Sequence, residues 1–485
     1  MYLGIDLGTS CIKLVLVTEG GTVVDTASVS LTVSRPQPLW SEQSAESWGE
    51  AAMTAMDKLA AKGQLADLKA IGLSGQMHGA TLLDNHGDVL RPAMLWNDGR
   101  SAMQCSSIEE SVPNARQLTG NMIMPGFTAP KLLWVKENEP AIFDKVAKVL
   151  LPKDYVRYLL TGEFASDLSD ATGTVWTDVA KRDWDDNLLA ATGLSRDHMP
   201  TLYEGSEITG YIKPELAKRW GIKQVPVVAG GGDNAAGAVG VGIIKPGQAM
   251  LSLGTSGVYF AVTDGYKSNP DSAVHSFCHA LPGTWHLMSV VLSAASCLSW
   301  LANLVGNVSV PELLNELAQQ QQSDNQSDLI FLPYLSGERT PHNNPHAKGV
   351  FFGLTHSTER ADMTKAVLEG VGYAFADGCD ALHASGVKPD EVSLIGGGAK
   401  SEYWRKLLAN ILGQNLVYRQ GGDVGPALGA ARLAQLAVTP NANIEDICPV
   451  PTLVESYEPN QAEFNHHKER REKFSQIYQN LNSLF

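Results

Sequence analysis

The tetrapeptide Leu-Gly-Thr-Ser occurs twice in this chain, at residues 7–10 and 253–256. Each copy lies between two short apolar runs, which is the pattern of a β-hairpin with a glycine-containing turn. Glycine allows backbone N–H groups to approach an anion closely, and the threonine and serine hydroxyls add further donors. Two such hairpins, half a chain apart, predict two like domains that bind one polyphosphate from opposite sides. This pattern indicates an ATP-using enzyme with a cleft.

The charge balance restricts the partners. The chain carries 37 basic and 52 acidic residues, a formal net charge of −15, and has no run rich in lysine and arginine. Such a charge disfavours binding to nucleic acid and to anionic membranes. It also repels ATP at long range. The phosphates must therefore be bound by local backbone donors, helix N-termini and a metal ion.

Length and cysteine usage indicate a cytoplasmic protein of two or more domains. The 485 residues are 44% hydrophobic, and the six cysteines are scattered without a C-x-x-C pair. They are expected to be reduced thiols rather than a disulfide framework or a zinc site. No basic leader precedes the first strand, and no apolar run approaches the roughly 18 residues needed to cross a bilayer.

Strand-like and helix-like segments alternate along the chain, which predicts an α/β fold. The insertion at residues 100–220 is mostly helical and irregular and is expected to build a wall of the cleft. We place the domain boundary so that residues 1–244 form the first domain and residues 245–485 the second. The predicted elements are strands at 2–6, 13–18, 22–31, 68–74, 225–229 and 391–395, a hairpin at Gly254, and helices at 45–61, 234–242, 362–385, 401–412 and 462–481.

Two aspartates lie at predicted strand ends. Asp6 ends the first strand, beside the first hairpin, and a carboxylate there requires a cation between it and a phosphate, so it is a candidate magnesium group. Asp233 follows three glycines at the carboxyl end of a strand, where open α/β sheets place their chemistry, and can accept a proton from a hydroxyl. The alternatives are a turn-capping role for Asp6 and a helix N-cap role for Asp233.

A second glycine-rich turn, Gly-Gly-Gly-Ala-Lys-Ser at residues 396–401, lies between a strand and a helix and presents amides at the helix N-terminus. It does not match the Walker A pattern, because Ala399 separates the glycines from the lysine. Each such turn is weak evidence alone. Four turns of this kind, each at a strand end, favour phosphate binding.

Residues 75–79, Gly-Gln-Met-His-Gly, follow a strand and combine amide, thioether and imidazole groups. A neutral polyol offers hydroxyls and a C–H face, so its site needs neutral donors and acceptors beside an apolar wall. Trp96, Asn97 and Asp98 supply the same mixture. The alternatives are a core histidine for His78 and a buried tryptophan for Trp96.

Two long, gapped segments resemble signatures of the FGGY carbohydrate kinases. One is Gly-Phe-Thr-Ala-Pro-Lys-Leu-Leu-Trp-Val-Lys-Glu-Asn at residues 126–138. The other runs from Gly-Val-Phe-Phe-Gly-Leu at residues 349–354 to residue 369. The resemblance covers nearly the whole chain. It implies two actin-like, ribonuclease H-like ATPase domains that flank a deep catalytic cleft and close over ATP, Mg²⁺ and a sugar. A homodimer is left open.

The resemblance also implies roles for individual residues. Asp233 is the expected catalytic base, and Asp6 serves the magnesium site. Sugar contacts are expected from Met77, His78, Trp96, Asp233 and Asn234. Nucleotide contacts are expected from Gly8, Thr9, Lys13, Gly254, Thr255, Gly397, Gly398 and Glu402. Some relatives have an asparagine near the position of Glu402, on the adenine side.

The reaction that the resemblance implies is direct transfer of the ATP γ-phosphoryl group to the 5-hydroxyl of D-xylulose. Glycerol kinases of the family have Arg-Glu where this chain has Met77 and His78, which argues against glycerol. A kinase for another ketose or polyol, such as ribulose, is the nearer alternative. The more distant alternative is an ATP-driven chaperone or filament protein with the same ATPase core. That function would leave residues 75–79 and 233–234 without a role.

Overall fold

The computed structural model describes residues 1–320, 327–420 and 425–485. Within these residues the chain forms two seven-stranded mixed sheets, one from each half, with smaller two-stranded sheets beside them. The strands of the first half are β1 (Tyr2–Leu7), β2 (Cys11–Val17), β3 (Val23–Ser30), β4 (Glu42–Gln43), β5 (Ala70–Gly75), β6 (Thr81–Leu83), β7 (Ala93–Met94), β8 (Lys148–Leu150), β9 (Ala165–Asp167), β10 (Thr177–Asp178), β11 (Asp183–Trp184), β12 (Thr201–Tyr203), β13 (Ile208–Tyr211), β14 (Pro226–Val228) and β15 (Gly231–Gly232). Its helices are α1 (Ala45–Ala60), α2 (Ala102–Ser111), α3 (Ala115–Thr119), α4 (Thr128–Asn138), α5 (Pro140–Phe143), α6 (Pro152–Thr161), α7 (Leu168–Ala171), α8 (Asp186–Ala191), α9 (Pro214–Trp220) and α10 (Asp233–Gly240).

The second half continues the alternation. Its strands are β16 (Gln248–Leu253), β17 (Gly257–Thr263), β18 (His275–Cys278), β19 (Trp285–Val291), β20 (Ile330–Leu332), β21 (Val350–Phe352), β22 (Glu391–Ile395), β23 (Leu416–Arg419) and β24 (Leu453–Tyr457). Its helices are α11 (Ser296–Leu304), α12 (Val310–Gln320), α13 (Arg360–His383), α14 (Glu402–Leu412), α15 (Gly425–Val438), α16 (Ile444–Ile447) and α17 (Gln461–Leu481).

The two large sheets have the same design. In the first, β1, β2 and β3 form an antiparallel meander, and β1 continues into β5 and β14 in parallel. In the second, β16, β17 and β19 form the meander, and β16 continues into β22 and β23 in parallel. The turns of the two predicted hairpins therefore occupy equivalent places. The prediction of an α/β protein with two like domains is confirmed.

Helix α1 shows why the local sequence folds as predicted. Ser44 is its N-cap and accepts a hydrogen bond from the Ser47 N–H at 3.2 Å. Trp48, Ala52 and Leu59 recur at helical spacing and are fully buried. They pack with the apolar residues of β1, β2 and β5 in one core cluster. The helix thus covers one face of the first sheet.

Helices α10 and α15 pack at unusually short range. A Cβ atom built on Gly429 would lie 1.7 Å from the carbonyl oxygen of Ala236, so only glycine fits this crossing. Helix α15 also packs on β1, β2 and β5, although it comes from the second half of the chain. The domain boundary at residue 244 stays a prediction. Helix α15 follows this boundary in the chain but packs on the sheet formed before it.

No helix in the described ranges combines the length and the apolar character needed to span a bilayer.

Candidate active site

A cavity of about 320 Å³ lies between the two halves and carries several of the predicted sugar-binding residues. Apolar and aromatic side chains form much of its wall, with a few polar groups among them, which suits a small polar ligand. Its lining residues are Met77, His78, Trp96, Met124, Gly126, Phe127, Asp233 and Asn234 from the first half, and Ser252, Gly254, Thr255, Ser256, Val258, His275, Phe277, Met288, Val290 and Arg339 from the second.

A larger cavity of about 830 Å³ adjoins the first. Both cavities are lined by Gly254 and Thr255, so the turn of the second hairpin separates them. The larger cavity is lined by the predicted Gly397 and Gly398, and its volume is in the range of small-molecule and cofactor sites. The remaining lining residues are Leu253, Ala295, Ser296, Leu298, Ser299, Val310, Pro311, Leu314, Asn315, Lys400, Ser401 and Trp404.

Asp233 begins α10 at the edge of the smaller cavity. The chain reaches it through Gly230, which has φ +82°, and a Cβ atom there would lie 1.8 Å from the Leu73 carbonyl oxygen. One carboxylate oxygen, Oδ1, accepts from the backbone N–H of Asn234 at 2.7 Å and from its Nδ2 at 3.0 Å. Burial raises the pKa of Asp233 to about 6, against the lowering by these two bonds. The carboxylate is ionised at neutral pH and basic enough to take a proton from a hydroxyl.

Buried charges hold the segment that leads into Asp233. The Arg157 guanidinium donates to the Val228 carbonyl at 2.7 Å and to the Ala229 carbonyl at 2.5 Å. The Gly232 N–H donates to Ser169 Oγ at 3.0 Å. Arg157 is itself paired at 3.1 Å with Asp154, which together with two further buried aspartates surrounds Lys153. The backbone before Asp233 is therefore fixed by side chains of α6 and α7.

Asp6 lies near the end of β1, close to Asp233. Its Oδ1 is buried and has no hydrogen-bond partner in the described structure. Burial, and then the charge of Asp233, raise the pKa of Asp6 to about 7, while the nearby Ser74 hydroxyl and the charge of Lys13 oppose this. Two neighbouring carboxylates, one with an unpartnered oxygen, are a donor set that a hard cation such as Mg²⁺ fits.

His78 is held in a left-handed backbone conformation with φ +70°. Its backbone carbonyl accepts from Lys131 Nζ at 2.8 Å and from Thr128 Oγ1 at 3.2 Å. Its ring Nδ1 lies 2.7 Å from the Gly173 carbonyl, which only accepts, so Nδ1 carries the proton. Burial, and then the charge of Lys131, lower the pKa of His78 to about 3. The ring is neutral, and Nε2 is left as an acceptor.

A closed set of hydrogen bonds ties the first hairpin turn to the cavity wall. Trp96 Nε1 donates to Thr9 Oγ1 at 3.1 Å, and Thr9 Oγ1 donates to Gln76 Oε1 at 2.9 Å. Gln43 completes the set, since its Oε1 accepts from Gln76 and its Nε2 donates to the Thr9 carbonyl. Trp96 is 40% exposed rather than buried, whereas Asp98 is buried outside the cavity lining, where it pairs with Arg100 and accepts from the Ser41 N–H.

The other predicted residues divide into two groups. Gly8 and Lys13 lie at the first hairpin, where the Gly8 N–H donates to the Cys11 carbonyl and Lys13 pairs in register with Asp6. Glu402 lies outside the lining of the larger cavity and forms an exposed ion pair with Lys406. The helix N-terminus there is capped by Ser401, which accepts from the Trp404 N–H.

Several lining residues were missed by the sequence reasoning. Phe127, Phe277 and His275 form an aromatic group next to His78, with ring centroids 5.0 to 6.3 Å apart. Phe127 lies within the first family signature, which was a usable signal. The alternating sequence His-Ser-Phe-Cys-His at residues 275–279 predicts only a strand. The approach of His275 and Phe277 to His78 depends on how the two halves of the chain pack together.

Comparison with known proteins agrees with this geometry. The N-terminal domain model of the FGGY family of carbohydrate kinases matches residues 1–240, and the C-terminal domain model matches residues 249–438. Xylulose kinase of Escherichia coli K12 is 62% identical over 99% of both chains. Xylulose kinase of Klebsiella pneumoniae is 58% identical over the full length of both.

Solved structures show the same architecture. A xyloylose kinase from Brucella ovis superposes with a TM-score of 0.94 at 46% identity over all of both chains. A xylulose kinase from Rhodospirillum rubrum gives 0.90 at 27% identity, covering 100% of this chain and 99% of that one. The chain belongs to the FGGY family of carbohydrate kinases.

Proposed function

We propose that this protein transfers the γ-phosphoryl group of ATP to the 5-hydroxyl of D-xylulose. The observation that carries the proposal is the pair of cavities that meet at Gly254 and Thr255, with Asp233 in the smaller one. A sugar bound beside Asp233 would face the phosphates of a nucleotide in the larger cavity across one hairpin turn. The names of the full-length relatives support D-xylulose as the acceptor.

In this mechanism Asp233 accepts the proton of the attacking hydroxyl as the new P–O bond forms. Positioning such a base contributes roughly 10²- to 10⁴-fold in rate. The neutral His78 accepts a hydrogen bond from a sugar hydroxyl through Nε2, and Asn234 supplies amide contacts. Met77 and Trp96 form the apolar face against the sugar carbons. The hairpin amides at Thr9 and Thr255, together with the Thr255 hydroxyl, stabilise the charge of the transferring group.

Mg²⁺ fits the site through Asp6, whose buried Oδ1 lacks a partner, and through the neighbouring Asp233. The described residues contain no cluster of three or more acidic, histidine or cysteine side chains that could hold a metal ion. Phosphate oxygens and water are therefore expected to complete the coordination. When bound, the ion would neutralise charge on the phosphates of ATP.

The experiment is a coupled ADP-release assay across pentuloses, hexuloses, polyols and aldonates, with the phosphorylated position assigned by phosphorus–proton coupling in the product. We expect the highest kcat/KM for D-xylulose and a phosphate on O5. A higher kcat/KM for ribulose or a polyol would replace the proposed substrate, and ADP release that no sugar in the panel accelerates would contradict the kinase assignment.

A further inference from the structure

Arg339 brings a positive charge into the sugar cavity without a carboxylate partner. Arg339 lines the cavity, and among the described residues no acidic side chain forms an ion pair with its guanidinium. The neighbouring Glu338 accepts instead from the backbone N–H groups of Leu292 and Arg339. Burial raises the pKa of Glu338 to about 8, so it is largely protonated at pH 7. Arg339 is half-buried, so its guanidinium has N–H groups that face the cavity and can donate to a ligand oxygen there.

The protein contact of this guanidinium is with the ring of His275. Asn121 fixes the tautomer of His275, because its Nδ2 donates to the Thr119 and Ser276 carbonyls and its Oδ1 must therefore accept. His275 Nδ1 lies 3.0 Å from that Oδ1 and carries the proton. His275 Nε2 then accepts from Arg339 Nη1 at 3.3 Å. Burial and the charge of Arg339 hold the pKa of His275 well below its usual range, so the ring is neutral.

The paired Arg339 and His275 side chains offer a ligand hydrogen-bond donors only. The lone pair of His275 Nε2 is directed at Arg339, and the guanidinium has five N–H donors and no acceptor. Arg339 lies beside the histidines, and its charge also lowers the pKa of His78. A ligand group that only accepts hydrogen bonds finds all the partners it needs at these two side chains. A hydroxyl there would keep an unpaired proton, at a cost of about 1–3 kcal/mol, which is a factor of about 5 to 150.

A ketose has one acceptor-only oxygen, the carbonyl at C2, whereas the polyol obtained by reducing it has a hydroxyl there. We propose that Arg339 binds the C2 carbonyl oxygen of the sugar and so selects ketoses against the corresponding polyols. This rests on the proposed sugar kinase function, with the 5-hydroxyl at Asp233. Arg339 is then a specificity-determining residue supplied by the second half of the chain to a site whose base comes from the first.

The test compares Arg339→Met and Arg339→Lys with the wild-type enzyme on D-xylulose and on its two reduction products, xylitol and D-arabitol. For Arg339→Met we expect kcat/KM for D-xylulose to fall about 10- to 100-fold, since a charge-assisted hydrogen bond is lost. The loss should lie mostly in the KM for sugar, while the KM for ATP stays within twofold. The kcat/KM for the polyols should change less than threefold, and Arg339→Lys should recover part of the xylulose activity.

Arg419→Met is the matched control, because this arginine of β23 is also part-buried in the second half but pairs with Glu391 of β22 and lines neither cavity. It should leave the ketose-to-polyol ratio unchanged. Equal losses on ketose and polyols in Arg339→Met, or an unchanged KM for D-xylulose, would overturn the proposal.

A measurement on the wild-type enzyme keeps the proposal testable if Arg339→Met does not fold. The inhibition constants of xylitol and D-arabitol against D-xylulose should exceed the KM of D-xylulose at least tenfold, and equal values would contradict the role of Arg339. If the enzyme prefers another ketose, the proposed substrate fails while the same comparison with that ketose and its polyols still tests Arg339. A wild-type preference for polyols would overturn both.

Discussion

Asp233, the proposed catalytic base, carries a cost in stability. Its pKa is raised from 3.8 to about 6 by burial, so the folded protein holds this proton more tightly than the unfolded chain. A carboxyl of this kind stabilises the fold most below pH 3.8, and that contribution is lost as the pH rises through 6. At neutral pH the ionised side chain therefore destabilises the protein, which is common for catalytic residues.

Asp233→Asn should accordingly be more stable than the wild-type protein above pH 6, by about 1–2 kcal/mol after allowance for the partial exposure of the side chain. The amide can still accept from Asn234, so the local bonds are kept. Urea unfolding without ligands at pH 4, 5, 6 and 7.5 measures this. The difference between variant and wild type should grow from pH 4 to pH 6 and then stay constant. A difference that is independent of pH would contradict the raised pKa.

His78 allows a second prediction at this scale. In His78→Asn the new residue also tolerates φ +70°, but the ring Nε2 that would accept from the sugar is lost. We expect the KM for D-xylulose to rise at least tenfold, with the KM for ATP within twofold, in steady-state assays. Because the pKa of His78 is about 3, the ring should not alter sugar binding between pH 6 and 8. Lower thermal stability with unchanged KM values would instead mean that His78 is only a core residue.

The sequence allowed some residues of the cavity to be predicted and not others. Asp233, Met77 and His78 follow glycine-flanked strand ends, and that local pattern is visible without a structure. Arg339 carries no local signal of its role, because that role depends on its having no carboxylate partner among the described residues. His275 carries no local signal at all, since strand pairing and the packing of the two halves bring it to His78.

At the scale of elements, the hairpins and α1 were predicted to within a few residues, because turn chemistry and helical periodicity are local properties. Helix α17, predicted at 462–481, is observed at Gln461–Leu481. Helix α15 was not predicted. Its Ala- and Gly-rich sequence is buried on several sides, which removes the amphipathic pattern that identifies surface helices.

The crossing of α10 and α15 predicts contrasting effects of two glycine substitutions. Gly429→Ala should destabilise the protein by several kcal/mol and lower kcat, because its Cβ would lie 1.7 Å from the Ala236 carbonyl oxygen and would displace the helix that begins at Asp233. Gly237→Ala is the control on α10, where the nearest atom to the new Cβ is 3.9 Å away. It should be neutral or slightly stabilising. Thermal unfolding and kcat measured side by side distinguish the two, and a tolerated Gly429→Ala would refute the close packing.

At the scale of the whole molecule, the two halves contribute different parts of one site. His78 and Asp233 come from the first half, and Thr255 and Arg339 come from the second. Ligands that contact both halves stabilise a closed arrangement only through contacts that are better there than in an open one. Closure would also keep water, the competing nucleophile, from the phosphates.

Small-angle scattering should therefore show a smaller radius of gyration with sugar and a non-hydrolysable ATP analogue than without ligands. A 5-deoxy ketose, which lacks the attacking hydroxyl, should close the cleft and raise the slow basal hydrolysis of ATP. An unchanged scattering curve together with unchanged basal hydrolysis would leave induced closure without support.

The most direct test of the account is the turnover of D-xylulose by Asp233→Asn, with binding of an ATP analogue measured by calorimetry on the same preparation. We predict that kcat falls about 10²- to 10⁴-fold while the dissociation constant of the nucleotide stays within twofold, because only the proton acceptor is removed. The wild-type kcat/KM should also decline below about pH 6, where Asp233 becomes protonated. A folded Asp233→Asn enzyme that phosphorylates D-xylulose within a few-fold of the wild-type rate would contradict the central claim.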